Sequence, residues 1–311
     1  MSVAAPSPAL SLVIPVYNEE DNVGPLHAEL TAAARALGRS YEIVFVDDGS
    51  RDGTRARLAA LQDADEHVRV VELDGNFGEA AALSAGFAHA RGAVVVTLDG
   101  DGQNDPADIP ALLARLVPGV DVVSGRRRER KEALLSRVLP SRVANWVIRW
   151  TTGVPVHDCG CGLKAYRREV LAGVQLPRGM NRFLPAILGV EPSRVAEVWV
   201  NDRRRGSGRS HYGLSRTFIV LRDLLALPLV VRRARGDAVP GRALGGAQAA
   251  LVGVLLLAVV GALGWPAKRV PALEASGLAA LAAGAGWSIS YNVRRYARAR
   301  ERGVFRVRRV G

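Results

Sequence analysis

Three short apolar runs alternate with helix-like segments in the N-terminal part of the chain, and each run ends in polar residues. The runs are rich in β-branched residues, which is typical of buried strands, and they cover residues 10–16, 41–46 and 93–98. The helix-like segments cover about residues 21–38, 53–64, 78–91 and 106–117. Strands that alternate with helices predict an α/β fold built on a mostly parallel sheet.

The polar residues that end the three strands should lie close together. In sheets of this kind, ligands bind outside the carboxyl ends of the strands. The polar clusters at these ends are residues 17–20, 47–50 and 99–105. We therefore expect all three clusters to converge on one crevice.

Asp99 and Asp101 suggest a metal site in this crevice. Two carboxylates one residue apart, at the end of a strand, can both face one divalent cation, and Mg²⁺ and Mn²⁺ prefer oxygen ligands. An isolated pair of this kind is more often an acidic surface turn. The second acidic strand end, Asp47 and Asp48, favours the metal site over that alternative.

Several motifs occur in an order that points to one family. They are residues 11–19, 46–50, 76–78, 99–103, 158–166 and 205–213. In this set the chain resembles the family 2 glycosyltransferases of the GT-A fold, and within them the polyprenyl-phosphate glycosyltransferases similar to dolichol-phosphate mannosyltransferase. The resemblance covers about residues 9–230 well, and the C-terminal segment only in its general layout.

The resemblance implies a Rossmann-like, mostly parallel GT-A sheet and a metal-dependent, inverting transfer of sugar from a nucleotide-diphosphate sugar. It assigns Asp99, Asp101 and Gln103 as ligands of Mg²⁺ or Mn²⁺. The implied donor-binding residues are Pro15, Tyr17, Asn18, Glu19, Asp47, Asp48, Asn76, Gly78, Arg205, Ser210 and His211. For Asp48 an alternative stays open, which is that it caps the turn at Gly49 and Ser50.

The chain departs from the family pattern at two places. Many relatives carry a basic residue where this chain has Asp74 or Gly75, and Glu79 is also acidic. Relatives often carry Lys where this chain has His211, whose charge is lost as the imidazole loses its proton.

The expected acceptor is a polyprenyl phosphate, whose oxyanion needs no strong general base. Guanidinium groups suit phosphate geometry, and the resemblance assigns Arg126, Arg137 and Ser141 to the acceptor phosphate. Arg137 and Ser141 are spaced to share one face of a helix. The neighbouring basic run, residues 127–131, is expected to be a solvated or membrane-facing surface.

Asp158 has two interpretations. By resemblance it lies beside the sugar and orients it, and the alternative is a structural role in the turn that follows. It would also be the candidate general base if the acceptor were a hydroxyl group on a glycolipid or polysaccharide, which is the alternative enzyme. A non-enzymatic nucleotide-sugar-binding membrane scaffold is less favoured, because the carboxylates expected at a metal site are present.

Charge and composition narrow the classes of partner. The net charge of +12 indicates an anionic partner, such as a phosphorylated ligand or a membrane surface. Nucleic acid is disfavoured, because aromatic residues make up only 5% and do not interleave with a basic stripe. Cys159 and Cys161 are too close for an ordinary disulfide and suit a reducing compartment. A homo-oligomer is left open.

The C-terminal part has the composition of a membrane segment. Residues 243–265 and 275–293 carry no charge and are long enough to cross a bilayer. For the second stretch, an interfacial or re-entrant hairpin stays open as the alternative. Arginines flank this pair on both outer sides, so we expect both ends in the cytoplasm at the inner membrane. The predicted domains are a GT-A domain over 1–213, an amphipathic juxtamembrane region over 214–242, two spans within 243–293 and a basic cytoplasmic tail over 294–311. The N-terminus does not resemble a secretory signal.

Overall fold

The sheet follows the strand pattern expected from the sequence. The computed structural model describes residues 7–128, 148–149, 153–203, 223, 227, 230–231, 291–299 and 301–311. Within them the strands are β1 (Leu10–Val16), β2 (Tyr41–Asp47), β3 (Val68–Leu73), β4 (Val94–Thr97), β5 (Val122–Arg127), β6 (Lys164–Arg167), β7 (Val195–Val200) and β8 (Val307–Val310). They form one sheet in the order β7-β5-β6-β4-β1-β2-β3-β8.

The centre of the sheet is parallel. β1 pairs in parallel with β2 and with β4, and β2 pairs in parallel with β3. The chain therefore leaves β1 toward β2 on one side and returns to β4 on the other. The carboxyl ends of β1 and β4 meet at this reversal, which is where open α/β sheets bind ligands. The three strands predicted at the start of the chain are confirmed.

The helices cover both faces of the sheet. They are α1 (Val23–Ala36), α2 (Thr54–Ala64), α3 (Glu79–His89), α4 (Ile109–Arg115) and the short α5 (Leu184–Ile187). In α1 the buried residues include Val23, Leu26, Leu30 and Ala34, whose spacing makes one apolar stripe against the sheet.

The core has two layers that use alternate residues of each strand. Leu12, Ile14 and Phe45 pack with α1, α2 and α4 on one face. On the opposite face Gly86 of α3 lies against Val13, close enough that a Cβ at residue 86 would lie 2.3 Å from a Val13 methyl group. This alternation is expected for strands covered on both sides.

The remaining strands extend the sheet at both edges. β6 runs antiparallel to both β4 and β5, so β4 and β5 point the same way and end at the same edge. β7 pairs in parallel with β5. At the other edge β8, from the basic tail, pairs antiparallel with β3. The sequence did not predict β8, because its alternation of valine and arginine looks like a solvated tail.

The chain divides into two compact units, Met1–Tyr212 with Ala299–Gly311, and Gly213–Arg298. The first unit contains the whole sheet. In the second, residues 291–298 are helical, and 214–242 is described only at residues 223, 227, 230 and 231. The predicted span 243–265 lies outside the described residues, as does all but the end of 275–293. Among the helices that the structure describes, none combines the length and apolarity needed to cross a bilayer.

Candidate active site

The loop after β4 presents the two carboxylates that the sequence singled out. Asp101 is buried and its Oδ1 accepts the backbone N–H of Gln103 at 3.0 Å. The backbone N–H of Asp99 donates to Oδ1 of buried Asn104 at 2.9 Å. These bonds fix a tight turn and hold Asp99 and Asp101 at the carboxyl edge of the sheet, as predicted.

The surroundings of Asp99 are rich in negative charge. Burial, together with the charges of Glu79 and Asp101, raises the pKa of the Asp99 carboxyl to about 8, against the opposing charges of Lys164 and Arg127. Glu79 is the first residue of α3, and its effect on Asp99 was not predicted from the sequence. A carboxyl group whose ionisation is opposed in this way gains from a nearby cation.

Gly162 leaves the space that the Asp99 side chain occupies. A Cβ built on residue 162 would lie 2.3 Å from the carboxyl carbon and from both carboxyl oxygens of Asp99. The Gly162 carbonyl also accepts a hydrogen bond from Thr97 Oγ1 at 2.8 Å, which fixes the loop before β6 against the end of β4. Glycine at this position is therefore required by close approach.

The ends of β1 and β2 are joined by a set of short hydrogen bonds. Asn18 has a left-handed backbone, with φ of 56°, and its N–H donates to Ser50 Oγ at 2.9 Å. Its side-chain Oδ1 accepts the Arg51 N–H at 2.8 Å, and the Glu19 N–H donates to Thr54 Oγ1. These bonds hold the first two polar clusters side by side.

Of the other expected donor residues at these ends, Pro15 is buried within β1, while the Tyr17 ring is exposed beside the crevice. Asp47 is fully buried, and its Oδ1 accepts the Ser50 N–H at 3.0 Å. Asp47, rather than Asp48, therefore caps the turn after β2.

Asp48 fastens the loop between β3 and α3. Its two carboxyl oxygens accept the backbone N–H groups of Phe77 and Gly78 at 2.7 and 2.8 Å. The pKa of Asp48 is raised to about 6, because burial, with a small contribution from the charge of Asp47, outweighs the opposing effect of these two bonds and of the Arg178 charge. Asp48 thus positions Asn76 and Gly78, two expected donor residues, at the edge that carries Asp99.

Asp158 is engaged by Arg127, which corrects the expectation that Arg127 belongs to a solvated basic run. The Arg127 Nε lies 2.8 Å from one Asp158 oxygen and its Nη2 lies 3.1 Å from the other. Burial lowers the pKa of Arg127, but these bonds and the Asp158 charge outweigh it and leave the pKa above its ordinary value. The buried pair joins the end of β5 to the loop before β6.

Lys164 and the two cysteines complete the interior of that loop. The ammonium of Lys164 donates to the carbonyl oxygens of Cys159 and Cys161. Both cysteines are free and buried, and burial raises the pKa of each thiol to about 12. They pack as small apolar groups in the core.

Arg126 lies on the opposite side of β5 from Arg127, beside an exposed tryptophan. Arg126 pairs with Trp199 of β7 in the sheet, and its guanidinium carbon lies 4.1 Å from the centroid of the Trp199 ring. Trp199 is 48% exposed, although it is large and aromatic. The cation–π contact holds the guanidinium of Arg126 at the surface of the sheet. The sequence did not identify Trp199.

Five predicted site residues lie outside the described part of the chain. They are Arg137, Ser141, Arg205, Ser210 and His211. The start of the glycine-rich segment is nevertheless placed, because the Arg203 N–H donates to the Gln103 carbonyl at 2.9 Å and its Nη2 lies 2.6 Å from Asp105. The chain therefore enters residues 204–213 directly beside the loop that carries Asp101.

The oxygen ligands available at this edge of the sheet suit a hard divalent cation. Asp99 and Asp101 supply carboxylate oxygens, Gln103 supplies an amide, and the mutual repulsion around Asp99 would be relieved by an ion. Among the residues described, no group of three or more His, Cys, Asp and Glu side chains is arranged to hold a metal ion.

Comparison with known proteins identifies the family. The family model described as "Glycosyl transferase family 2" matches residues 11–174. The chain belongs to glycosyltransferase family 2. The matched range contains the whole acidic edge and the loop before β6, so the resemblance seen in the motifs is confirmed.

Curated relatives extend this similarity beyond the matched domain. The chain is 44% identical over 227 residues to the dodecaprenyl-phosphate galacturonate synthase of Rhizobium johnstonii. This aligned region covers 72% of this chain and 67% of that protein. It is 36% identical over 274 residues to the undecaprenyl-phosphate 4-deoxy-4-formamido-L-arabinose transferase of Salmonella paratyphi A, with 86% and 82% covered. Both relatives are named as polyprenyl-phosphate sugar transferases.

Solved structures confirm the GT-A fold. The glucosyl-3-phosphoglycerate synthase of Mycobacterium tuberculosis, in complex with Mn²⁺, uridine diphosphate and glucosyl-3-phosphoglycerate, gives a TM-score of 0.55. It is 21% identical to this chain, and the match covers 75% of this chain and 82% of that one. At this identity the likeness concerns the fold alone.

Proposed function

We propose that this glycosyltransferase moves a sugar, with inversion, from a nucleotide-diphosphate sugar to a polyprenyl phosphate at the cytoplasmic face of the inner membrane. The observation that carries the proposal is the similarity to two polyprenyl-phosphate sugar transferases over 72% and 86% of the chain. In the reaction, an oxygen of the lipid phosphate forms a bond to the anomeric carbon. The bond from that carbon to the donor diphosphate breaks, and the nucleoside diphosphate leaves.

The engagement of Asp158 supports a phosphate acceptor over a hydroxyl acceptor. A hydroxyl nucleophile needs a general base, and Asp158 was the candidate for that role. Its two oxygens are both taken up by the guanidinium of Arg127, at 2.8 and 3.1 Å. A carboxylate held in this way is a weak base, whereas a lipid phosphate is already an oxyanion near neutral pH. We assign Asp158 a positioning role in the loop beside the sugar.

Arg126 is the described residue best placed to receive the acceptor phosphate. It lies near the carboxyl end of β5, at the same edge of the sheet as Asp99, because β4 and β5 run in the same direction. Its guanidinium presents a planar fork of donors, and it lies over the Trp199 ring, which supports it from one side. Arg137 and Ser141 complete the proposed acceptor site.

Asp99, Asp101 and Gln103 would hold Mg²⁺ or Mn²⁺ at the donor diphosphate. When bound, such an ion offsets the charge that develops on the leaving diphosphate. The protein contributes the turn that fixes Asp101 and the space at Gly162 that admits the Asp99 side chain. Pro15, Tyr17, Asp47, Asn76 and Gly78 would hold the nucleotide across the ends of β1, β2 and β3.

A transfer assay tests the proposal directly. Purified full-length protein should convert undecaprenyl phosphate to a sugar-phosphate lipid with one member of a panel of nucleotide sugars, as measured by product mass. Arg126→Ala and Arg137→Ala should each raise KM for the lipid about 10-fold or more, since each removes charge-assisted hydrogen bonds to the phosphate. KM for the nucleotide sugar should stay nearly unchanged.

The matched control is Arg128→Ala, which removes an exposed arginine two positions from Arg126. Its kinetics should equal those of the wild type. Equal transfer to undecaprenol, which lacks the phosphate, would contradict the proposed acceptor and favour the alternative enzyme with a hydroxyl acceptor.

We also propose that residues 243–265 and 275–293 form a transmembrane hairpin that returns the chain to the side of the catalytic domain. The pairing of β8 with β3 supports this topology, because a strand within the catalytic sheet must lie on the same side of the membrane as that sheet. Arg306 and Gly311 add backbone hydrogen bonds to Asp74 and Val70 at 3.1 and 3.0 Å. Any crossings between residues 213 and 298 must therefore be even in number.

Reporter fusions test the hairpin. Alkaline phosphatase, which is active only outside the cytoplasm, should be active when fused after Lys268, between the two proposed spans. The same enzyme fused after Gly311 should be inactive, while green fluorescent protein fused there should fluoresce. An active phosphatase at Gly311 would contradict the even number of crossings, and an inactive one at Lys268 would contradict the first span.

A further inference from the structure

The edge of the sheet that carries the proposed donor site has more acidic side chains than the binding of an anionic donor would favour. Five carboxyl groups lie at the carboxyl ends of β2 and β4 or at the start of α3, and they are Asp47, Asp48, Asp99, Asp101 and Glu79. A nucleoside diphosphate carries negative charge of its own. One divalent ion at Asp99 and Asp101 offsets only part of this, so a further cation is expected where the nucleotide binds.

The basic side chains inside this edge are already committed. Lys164 donates to the carbonyl oxygens of Cys159 and Cys161, and Arg127 pairs with Asp158. Arg55 lies 3.5 Å from Asp47 and 3.3 Å from Glu72. The loop after β3 offers no cation of its own, since it begins with Asp74 and Gly75.

Arg178 brings a guanidinium to that loop from a distant segment. Its Nη2 lies 3.3 Å from Asn76 Oδ1, and its side chain passes so close to Gly78 that a Cβ there would lie 3.0 Å from it. Its charge acts on Asp48, whose carboxylate holds the same loop. The residue is exposed, and its guanidinium contacts the side chain of Asn76 at the edge that carries the proposed donor site.

The backbone on both sides of Arg178 is fixed to α3. The Leu176 N–H donates to buried Ser84 Oγ at 2.9 Å, and Asn181 Nδ2 donates to Glu79 Oε1 at 2.6 Å. Met180, between them, is fully buried. The segment that carries Arg178 is therefore held beside the loop after β3.

We propose that Arg178 is a donor-binding residue whose guanidinium contacts acceptor oxygens of the nucleoside diphosphate. The inference rests on the proposed function only in taking a nucleotide sugar as the donor. Arg178 thereby supplies, from the segment after β6, the positive charge that Asp74 and Gly75 do not provide on the loop after β3.

Binding measurements on the full-length protein in detergent, with Mn²⁺ present, test this assignment without any acceptor. The probe is whichever of UDP, GDP and dTDP the wild type binds most tightly, and inorganic pyrophosphate is measured beside it. Arg178→Ala should weaken nucleotide binding about 10-fold or more, and Arg178→Lys should weaken it less. If pyrophosphate loses affinity as well, the contact is to the phosphates; if only the nucleotide does, the contact is to the nucleoside.

A variant that moves the positive charge to the loop after β3 sharpens the test. A Cβ on residue 75 would meet only a Phe77 ring carbon, at 3.9 Å, and the Gly75 backbone is not left-handed, so an arginine fits there. Gly75→Arg in the Arg178→Ala background should recover a large part of the lost affinity. Arg168→Ala is the matched control, since this exposed arginine follows the far end of antiparallel β6 and its loss should change nothing.

Arg178→Gln separates binding from a purely structural role. Glutamine and lysine both lack the terminal nitrogen that contacts Asn76, but only lysine keeps the positive charge, so Arg178→Gln should bind the nucleotide as weakly as Arg178→Ala does. Wild-type affinity in Arg178→Gln, or in Arg178→Ala, would overturn the proposal. Because the binding measurement contains no lipid, it still tests the role of Arg178 if the transfer assay shows that polyprenyl phosphate is not the acceptor.

Discussion

Asp101→Ala should abolish sugar transfer and leave the fold intact. Asp101 is one of the two carboxylates proposed to hold the divalent ion, whose contribution to the leaving group is several kcal/mol. Its loss should therefore lower kcat about 10³-fold or more. The fold should survive, because the substitution removes one hydrogen bond within a single turn and also one of the negative charges that act on Asp99. Single-turnover transfer and a thermal melt of the same sample measure the two effects.

The controls for this prediction use the metal and a distant carboxylate. EDTA should inhibit the wild type, and Mg²⁺ or Mn²⁺ should restore its activity. Asp63→Ala, which removes an exposed aspartate from α2, should behave as the wild type does. Full turnover of Asp101→Ala, or of the wild type in metal-free buffer, would contradict the metal assignment.

The acidic edge could be predicted from sequence because its geometry follows from strand direction. Residues 10–16, 41–46 and 93–98 are apolar runs of strand length, and parallel strands bring their carboxyl ends to one edge. Nothing about side-chain contacts was needed to place Asp47 near Asp99. The family motifs then predicted the reaction that we propose for this edge.

Pairings between distant segments could not be predicted in the same way. Arg127 looked like part of a charged surface run, and the structure instead pairs it with Asp158, which lies 31 positions away. For Asp48 the sequence left open a donor contact or a cap for its own turn, and in the structure its oxygens accept N–H groups of Phe77 and Gly78. Each side chain finds its partner only after the sheet has brought the loops together.

Two short strands, β6 inside the sheet and β8 at its edge, were missed for a different reason. β6 has four residues and begins and ends with a basic side chain, so it carries no apolar run. β8 is exposed at every position and is a strand because β3 offers it an edge. Tertiary pairing decides the state of such segments, and their own propensity does not.

Gly162→Ala should disable the site while leaving the backbone unstrained. The φ of Gly162 is not in the left-handed region, so alanine is tolerated by the main chain. Its Cβ would nevertheless lie 2.3 Å from all three carboxyl atoms of Asp99. Because a carboxyl group is the movable end of a side chain, Asp99 should swing away at little cost in stability. Loss of a correctly placed ligand should lower transfer about 100-fold and raise the metal concentration needed for activity.

Gly160→Ala, two residues earlier in the same loop, separates crowding of Asp99 from a general effect of alanine. A Cβ at residue 160 would meet Arg127 at 3.5 Å and Asp158 at 3.8 Å, which are ordinary contacts, and its φ is not left-handed either. Gly160→Ala should therefore keep most of the wild-type activity and its metal requirement. Transfer is measured across a Mn²⁺ titration for both variants. If Gly162→Ala matches Gly160→Ala throughout that titration, the position of the Asp99 carboxylate does not control the reaction, and Asp101 alone must carry the metal assignment.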